Sequence, residues 1–356
     1  MLIYVQSRNP DGFFALKKLN ATDEDLKANR NTFNMELSSL LFSEDKAFSV
    51  QEHLIQALAT FEVVNPSPQN PTWYFLFDWA KGNLNDFWKN NRRLIKDHDH
   101  LPWMARQFHG LTKGLMCVHN ERTETIKSFD IHKRANSNTL YGRHGDINAS
   151  NFLWFPSEPP PGILSLSDFG LGRLHREVSR SIQDPQSLKR TETYRAPEFD
   201  LEEKSISRIS DIFSLGCVFL EYVIWFFRGF KGIKKCSKDR LELDIHNFTA
   251  DTFFTFNREV AASERQFFVK PSVRALIKEL QNDPDCSTYL SQLLDIIGDE
   301  MIEPNPSERI NAVRLEIKME LLWRTCRDDP EFYTHKDGKP TPSFLNKRQG
   351  LTASIR

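Results

Sequence analysis

Two short apolar runs near the middle of the chain are separated by a polar, proline-rich segment, and this pattern predicts a β-hairpin. The runs are Phe152–Phe155 and Ile163–Leu166. Between them lies Pro156-Ser157-Glu158-Pro159-Pro160-Pro161-Gly162, which cannot continue either strand and is typical of a connecting loop. Because a hairpin brings its two ends together, we expect the polar residues that flank the runs to lie close to one another.

The flanking residues carry oxygen atoms suited to a metal ion. Asp146 and Asn151 precede the first run, and Asp168 follows the second. Two carboxylates and an amide oxygen are hard ligands of the kind that Mg²⁺ prefers beside phosphate groups. Each residue alone would be interpreted as an ordinary turn residue. Their joint spacing around one hairpin favours a site for Mg²⁺ and phosphate.

Elsewhere the pattern predicts a β-rich part followed, from about residue 80, by a larger helical part. Runs with strand composition come first, and runs with helical periodicity follow. The predicted strands are Met1–Val5, Phe13–Leu19, His53–Glu62 and Trp73–Trp79, and the predicted helices are Phe33–Phe42, Leu84–Asn91, Trp103–His119 and the apolar run Ile212–Phe227. This last run contains Glu221 and is shorter than the roughly 20 residues that cross a bilayer, so we expect a buried helix.

Two charged residues in the β-rich part form a candidate ion pair. Lys17 shares one face of its strand with Ala15, by the alternation of side chains along a strand. Glu36 points toward the apolar face of its predicted helix, where a carboxylate needs a cation. Lys17 is the candidate partner, although a lysine at a strand end is by default solvated.

Composition narrows the class of protein without identifying it. The 356 residues are 39% hydrophobic and 27% charged, as in soluble globular proteins. A formal net charge of -1 gives no attraction toward nucleic acid or membrane. The five cysteines lack the spacing of a zinc site or a disulfide framework, and the N-terminus has no signal-peptide pattern. We therefore expect an intracellular protein, cytoplasmic or nuclear.

Six short motifs follow one another in a recognisable order. They are Ala15-Leu16-Lys17, Glu36, His144-Gly145-Asp146 with Asn151, Asp168-Phe169-Gly170, Ala196-Pro197-Glu198, and Asp211-Ile212-Phe213-Ser214-Leu215-Gly216. This order resembles the eukaryotic protein kinase catalytic domain of the serine/threonine type, over about residues 1–325. Residues 53–62 and 75–88 are similar to kinases of filamentous fungi. The resemblance implies an α+β, two-lobed fold with a small antiparallel sheet lobe, including one helix, and a large mainly helical lobe.

The resemblance implies roles at the matching catalytic positions, with ATP and Mg²⁺ as cofactors. Lys17 would hold the α- and β-phosphates and be oriented by Glu36. Asp146 would accept the proton of the substrate hydroxyl. Asn151 and Asp168 would ligate Mg²⁺.

Other matching positions would bind adenine or support the fold. Adenine would dock against a hinge that includes Phe77, Asp78 and Ala80. Glu198 would pair with Arg309, and Asp211 would anchor the catalytic loop from the buried helix.

The resemblance also implies a substrate class and domain boundaries. Thr191, in the pattern Thr-x-x-Tyr before Ala-Pro-Glu, would contact the catalytic Asp, as in kinases that act on serine and threonine of protein substrates. Residues 1–78 would form the small lobe and residues 79–325 the large lobe, with an insertion at 120–143. Residues 326–356 would be a polar C-terminal tail.

Three departures from the family pattern bear on activity. The glycine-rich loop that should precede Ala15-Leu16-Lys17 is missing, so we expect the chain to be truncated before or within that loop. Asn148 stands where serine/threonine kinases have a lysine that faces the γ-phosphate. Gly145 replaces the arginine that normally receives an activation-loop phosphate. A pseudokinase that acts as a binding or scaffold module is therefore an alternative.

A small-molecule phosphotransferase is a further alternative. His-Gly-Asp-x-x-x-x-Asn at residues 144–151 is also the pattern of aminoglycoside and choline kinases. Those enzymes lack the Ala-Pro-Glu segment and the Thr-x-x-Tyr loop found here, which argues against this interpretation.

Overall fold

The computed structural model describes most of the chain, with several gaps. The described residues are 12–18, 51–63, 72–119, 143–168, 193–200, 207–244, 248–257 and 265–335. The predicted strand Met1–Val5, the predicted helix Phe33–Phe42 with Glu36, and most of the insertion lie outside these ranges. Phe169, Gly170 and Thr191 lie outside them too.

The first part is a three-stranded antiparallel sheet in the order β1-β3-β2. Its strands are β1 (Phe14–Lys18), β2 (Ala59–Val63) and β3 (Thr72–Asp78). Along β1 the more buried positions alternate with exposed ones, so Ala15 and Lys17 share the more buried face. This alternation agrees with the prediction that Ala15 and Lys17 share one face of the strand.

The second part is larger and mainly helical. Its helices are α1 (Leu84–Asn90), α2 (Leu101–Val118), α3 (Ile209–Asp239), α4 (Pro271–Gln281), α5 (Thr288–Asp295), α6 (Ala312–Asp328) and α7 (Pro330–Thr334). Most buried apolar side chains belong to one core in this part. A small cluster of Trp73 and Phe75 lies in the sheet, and Phe77 packs against both clusters. The α+β fold with a small sheet and a larger helical part is therefore as predicted.

The central hairpin has the predicted bounds. A short strand β4 (Gly82–Asn83) pairs with β5 (Phe152–Phe155), which pairs antiparallel with β6 (Ile163–Leu166). Two indole N–H groups fix the connecting loop: Trp103 donates to the carbonyl of Gly162 at 2.6 Å and Trp154 to that of Pro161 at 2.7 Å. The loop is thus held against α2 and against its own strand.

Helix α3 runs through the core of the helical part. Among the described residues it is the one helix long and apolar enough to cross a membrane, and 94% of its most apolar window is buried inside the protein. Every residue of the predicted apolar run Ile212–Phe227 is buried, which confirms the interpretation as a core helix. The helix kinks at Gly229, whose φ of 65° favours glycine.

Two regions differ from the sequence prediction. Four short strands occupy a region predicted to be mostly helical: β7 (Glu242–Leu243), β8 (Thr249–Ala250), β9 (Phe254–Phe256) and β10 (Phe267–Val269). Aromatic and β-branched residues in the last two favour a strand. The predicted polar tail includes residues 326–335. These residues instead complete α6 and form α7, whose Phe332 is buried in the core.

Close packing at Gly110 of α2 generates a prediction. A Cβ atom built on Gly110 would collide with the imidazole ring of His53, which is buried and donates its Nδ1–H to the carbonyl of Leu164 at 2.8 Å. Helix propensity alone would make Gly110→Ala stabilising by about 1 kcal/mol. Because the ring cannot move without losing its hydrogen bond, we expect destabilisation by about 1–3 kcal/mol, measured by urea denaturation.

Lys113→Ala, at an exposed position of the same helix, is the matched control and should leave the unfolding free energy nearly unchanged. Stabilisation of the Gly110→Ala variant would show that His53 does not occupy this position.

Candidate active site

The loop that contains Asp146 is anchored by a buried carboxylate. Asp211, in the first turn of α3, accepts the backbone N–H groups of His144 and Gly145, each at 2.8 Å, and the Nε2–H of His119 at 2.9 Å. Burial would raise the pKa of Asp211, but the hydrogen bond from His119 and the neighbouring groups hold it below its ordinary value. The carboxylate is therefore ionised at neutral pH. Gly145 has a φ of 78°, a conformation that glycine adopts without strain.

The same loop is tied to the end of β6. His144 donates its Nε2–H to the carbonyl of Ser167 at 2.8 Å. Ser167 in turn donates its backbone N–H and its hydroxyl to the carbonyl of Asn151, at 2.8 and 2.9 Å. The two ends of the hairpin thus lie side by side, as the hairpin pattern predicts.

Asp146 lies between two asparagine amides. Asn151 donates its Nδ2–H₂ to the Oδ2 of Asp146 at 3.2 Å and to its backbone carbonyl at 2.7 Å. Asn148 donates to the Oδ1 of Asp146 at 3.2 Å. Because the amide nitrogen of Asn151 faces Asp146, its amide oxygen is directed elsewhere, and in the described part of the chain that oxygen accepts no hydrogen bond.

Asp168 connects the hairpin to the small sheet. Its Oδ1 lies 2.6 Å from the Nζ of Lys17, and the two side chains are 35% and 31% exposed. Partial exposure means that solvent screens this ion pair, so it stabilises the fold only modestly. Asp168 has a φ of 68°, a left-handed conformation that aspartate tolerates better than most residues.

Four predicted site residues therefore form two contacting pairs, Asp146 with Asn151 and Lys17 with Asp168. Ser167, which precedes Asp168 and bonds the carbonyl of Asn151, places the two pairs side by side. Carboxylate and amide oxygens are ligands suited to Mg²⁺, which commonly takes one or two carboxylates together with phosphate oxygens of the substrate. The donor chemistry of Asn151 and Asp168 fits that ion. The predicted partner Glu36 lies outside the described residues.

The predicted hinge links the sheet to the hairpin. Phe77 and Asp78 end β3 and pair with Ala15 and Phe14 of β1. Beyond Ala80, the backbone N–H of Lys81 donates to the carbonyl of Trp154 on β5 at 3.0 Å. The hinge segment is therefore adjacent both to the strand of Lys17 and to the hairpin that carries Asn151 and Asp168.

Glu198 and Arg309 form a buried, bidentate ion pair. The two guanidinium Nη atoms donate to the two carboxylate oxygens at 2.8 and 3.0 Å, and both residues are buried. Arg309 also donates to the backbone carbonyls of Ile209 and Pro304. Satisfaction of so many donors offsets the desolvation of the guanidinium. The pair joins the Ala-Pro-Glu segment to the start of α3.

A second buried network supports the segment before Ala-Pro-Glu. Tyr194 donates its hydroxyl to the Oε2 of Glu221 at 2.6 Å, and burial raises the pKa of Tyr194 so that it stays protonated. Arg240 donates an Nη2–H to the other carboxylate oxygen of Glu221, Oε1, at 3.3 Å. Thr193 donates to Asp251 at 2.5 Å. Sequence reasoning missed this network, although a glutamate inside an apolar run was a signal of it.

This segment faces the loop that contains Asp146 across a small pocket. Asp146 lines the pocket together with Tyr194, Arg195 and Phe199. The side chain of Arg195 pairs with Asp200 at 3.1 Å. Asp146 thus lines a small pocket between two separately anchored segments.

Comparison with models of known protein families identifies the family to which the chain belongs. The model of the protein kinase domain family matches residues 3–316, and the chain belongs to that family. Members of this family use ATP and Mg²⁺ to phosphorylate proteins.

Curated relatives are similar over parts of the chain. Cyclin-dependent kinase E-1 of Arabidopsis thaliana is 30% identical over 35% of this chain and 27% of its own length. A serine/threonine-protein kinase of Candida glabrata is 32% identical over 34% of this chain and 19% of its own. Cyclin-dependent kinase 11.2 of Caenorhabditis elegans is 38% identical over 24% of this chain and 12% of its own length. The matches therefore span about a quarter or less of each relative.

The buried ion pair generates a prediction. Arg309→Met should lower the free energy of unfolding by about 3–5 kcal/mol, because Glu198 is left buried without a cation. The double variant Arg309→Met with Glu198→Leu should recover much of that loss, since no uncompensated charge remains. Urea denaturation measures both.

Arg327→Met is the control, because Arg327 pairs with Asp328 at the surface and its loss should leave stability nearly unchanged. If Arg309→Met lowered the free energy of unfolding as little as this control does, Glu198 and Arg309 would not form a buried pair.

Proposed function

We propose that the chain is a serine/threonine protein kinase that transfers the γ-phosphoryl group of Mg-ATP to hydroxyl groups of proteins, with Asp146 as catalytic base. The observation that carries the proposal is the set of contacts that joins Asp146 to Asn151 and Asp168 to Lys17. Such a site needs to position its reactants and stabilise charge more than it needs a covalent intermediate. One of the relatives is a serine/threonine-protein kinase, and this similarity supports the same substrate class.

Each residue has a task in this proposal. Lys17 binds the α- and β-phosphates, and Phe77, Asp78 and Ala80 form the edge against which adenine docks. Asp146 accepts the hydrogen bond of the incoming hydroxyl and takes its proton as the oxygen attacks the γ-phosphorus. The bond from that phosphorus to the oxygen it shares with the β-phosphate breaks as ADP leaves. Asn151 and Asp168 would supply oxygen ligands to Mg²⁺, and the bound ion would supply positive charge that neutralises the phosphates.

The identity of Asn148 favours slow transfer and keeps the pseudokinase alternative open. Residues 147–150 are Ile147-Asn148-Ala149-Ser150, which offer no cation to the γ-phosphate. Loss of one preorganised donor costs about 10²–10³ in rate. A pseudokinase would retain the fold and use it to bind partners without phosphoryl transfer.

Nucleotide binding provides the test of the site. We expect Mg-ATP at about 100 times its Kd to stabilise the protein by about 2.7 kcal/mol, which raises the Tm by a few degrees. The shift should fall sharply in Asp168→Ala and when EDTA removes the metal. Asp328→Ala, which removes an exposed carboxylate on α6, should keep the full shift.

Transfer of labelled phosphate to serine or threonine of a generic protein substrate separates the remaining alternatives. Binding together with transfer that is lost in Asp146→Ala supports the kinase. Binding without transfer supports the pseudokinase, and absence of any Mg-ATP shift in the native chain would overturn the proposed enzyme.

A further inference from the structure

Asn148 occupies an unusual position in the catalytic loop. It is 8% exposed and has an extended backbone at the start of the 3₁₀ turn Ala149–Asn151. Its amide oxygen accepts the backbone N–H of Ser150 at 2.9 Å. That bond caps the turn and fixes the plane of the amide, so that the amide nitrogen faces Asp146.

The amide nitrogen of Asn148 donates hydrogen bonds to Asp146. It lies 3.2 Å from the carboxylate Oδ1 and 3.2 Å from the backbone carbonyl of that residue. Asn151 makes the matching contacts from the other side, to the Oδ2 and to the same carbonyl. Each oxygen of the carboxylate therefore accepts one amide hydrogen, and rotation of the carboxylate would break both bonds.

We propose that Asn148 is a positioning residue for Asp146: with Asn151 it forms an amide clamp that holds the carboxylate in the orientation needed to accept a substrate proton. This role rests on the proposed function. Hydrogen bonds to an ionised acceptor are stronger than neutral ones. Each carboxylate oxygen still has a lone pair for the incoming hydroxyl.

The clamp explains why a lysine would not serve the same purpose at this position. A lysine has three donors but no acceptor, so it could not cap the N–H of Ser150. In this chain Asn148, two positions after Asp146, uses its amide oxygen to cap the turn and its amide nitrogen to bind the carboxylate. We infer that Asn148 affects the rate of transfer and not the binding of ATP.

A double-mutant cycle tests the contact without relying on activity. Asn148→Ser retains a side-chain oxygen that can cap Ser150, but it lacks the amide and is too short to reach Asp146. Combined with Asp146→Ala, the two changes should be non-additive by about three- to tenfold in the unfolding equilibrium constant. Urea denaturation of the wild type, both single variants and the double variant gives this coupling.

Asn311 provides the matched control pair. It caps α6 by accepting the N–H of Arg314 at 2.9 Å, and it lies in an element that does not carry the site. Asn311→Ser with Asp146→Ala should be additive. Additivity of the Asn148 cycle as well would overturn the clamp.

Steady-state kinetics test the consequence for catalysis. Asn148→Ser should lower kcat by about tenfold or more and leave the KM for ATP within about twofold, because the clamp orients the base and does not bind phosphate. Asn311→Ser should change neither. An increased KM with unchanged kcat would contradict the positioning role.

Failure of the proposed function gives a different pattern. If no form of the protein transfers phosphate but the Asn148 cycle is coupled, the contact between Asn148 and Asp146 stands, whereas the kinase proposal and the positioning role fall. If the wild type is active and the cycle is additive, the kinase stands and the clamp falls.

Discussion

The geometry of the candidate site depends on one buried carboxylate. Asp211 accepts two backbone N–H groups of the loop before Asp146 and one imidazole N–H, all at 2.8–2.9 Å. Because burial makes an unpaired N–H costly, the loop has a strong preference for this one conformation. The core helix that carries Asp211 is itself fixed by its apolar surroundings. Packing in the interior therefore determines where the loop that carries Asp146 lies.

The anchor supports the rest of the site through short contacts. The imidazole of His144, in the anchored loop, donates a hydrogen bond to the carbonyl of Ser167. The hydroxyl of Ser167 in turn donates to the carbonyl of Asn151, at the other end of the hairpin. Among these described contacts, the link from Asp168 to Lys17 crosses to the small sheet, and it is partly exposed to solvent. The helical side of the site is thus preorganised, whereas the contact with the sheet is weaker because solvent screens it.

Several features could be predicted from the sequence because they depend on local pattern. The hairpin strands Phe152–Phe155 and Ile163–Leu166 are bounded by proline, glycine and polar residues, and their observed bounds are those predicted. The apolar run within α3 similarly required a buried helix. The short strands β7 to β10 could not be predicted, because each has only two or three residues and depends on tertiary pairing.

Side-chain contacts were harder to predict from the sequence than helices and strands. Asn148 was identified by its departure from the lysine of the family, but spacing does not show that its amide faces Asp146. The network of Tyr194, Glu221 and Arg240 joins residues that are far apart in the sequence, so periodicity carries little information about it. Such contacts follow from the fold once it is formed.

Amide hydrogen exchange at His144 and Gly145 tests the central dependence on Asp211 most directly. In Asp211→Asn one carboxylate oxygen becomes an amide nitrogen, so at least one of the three donors loses its acceptor. We predict that exchange at one or both of these amides accelerates by about tenfold or more, while amides of Thr288–Asp295 in α5 keep their protection. Unchanged exchange at His144 and Gly145 in a folded Asp211→Asn protein would contradict the account.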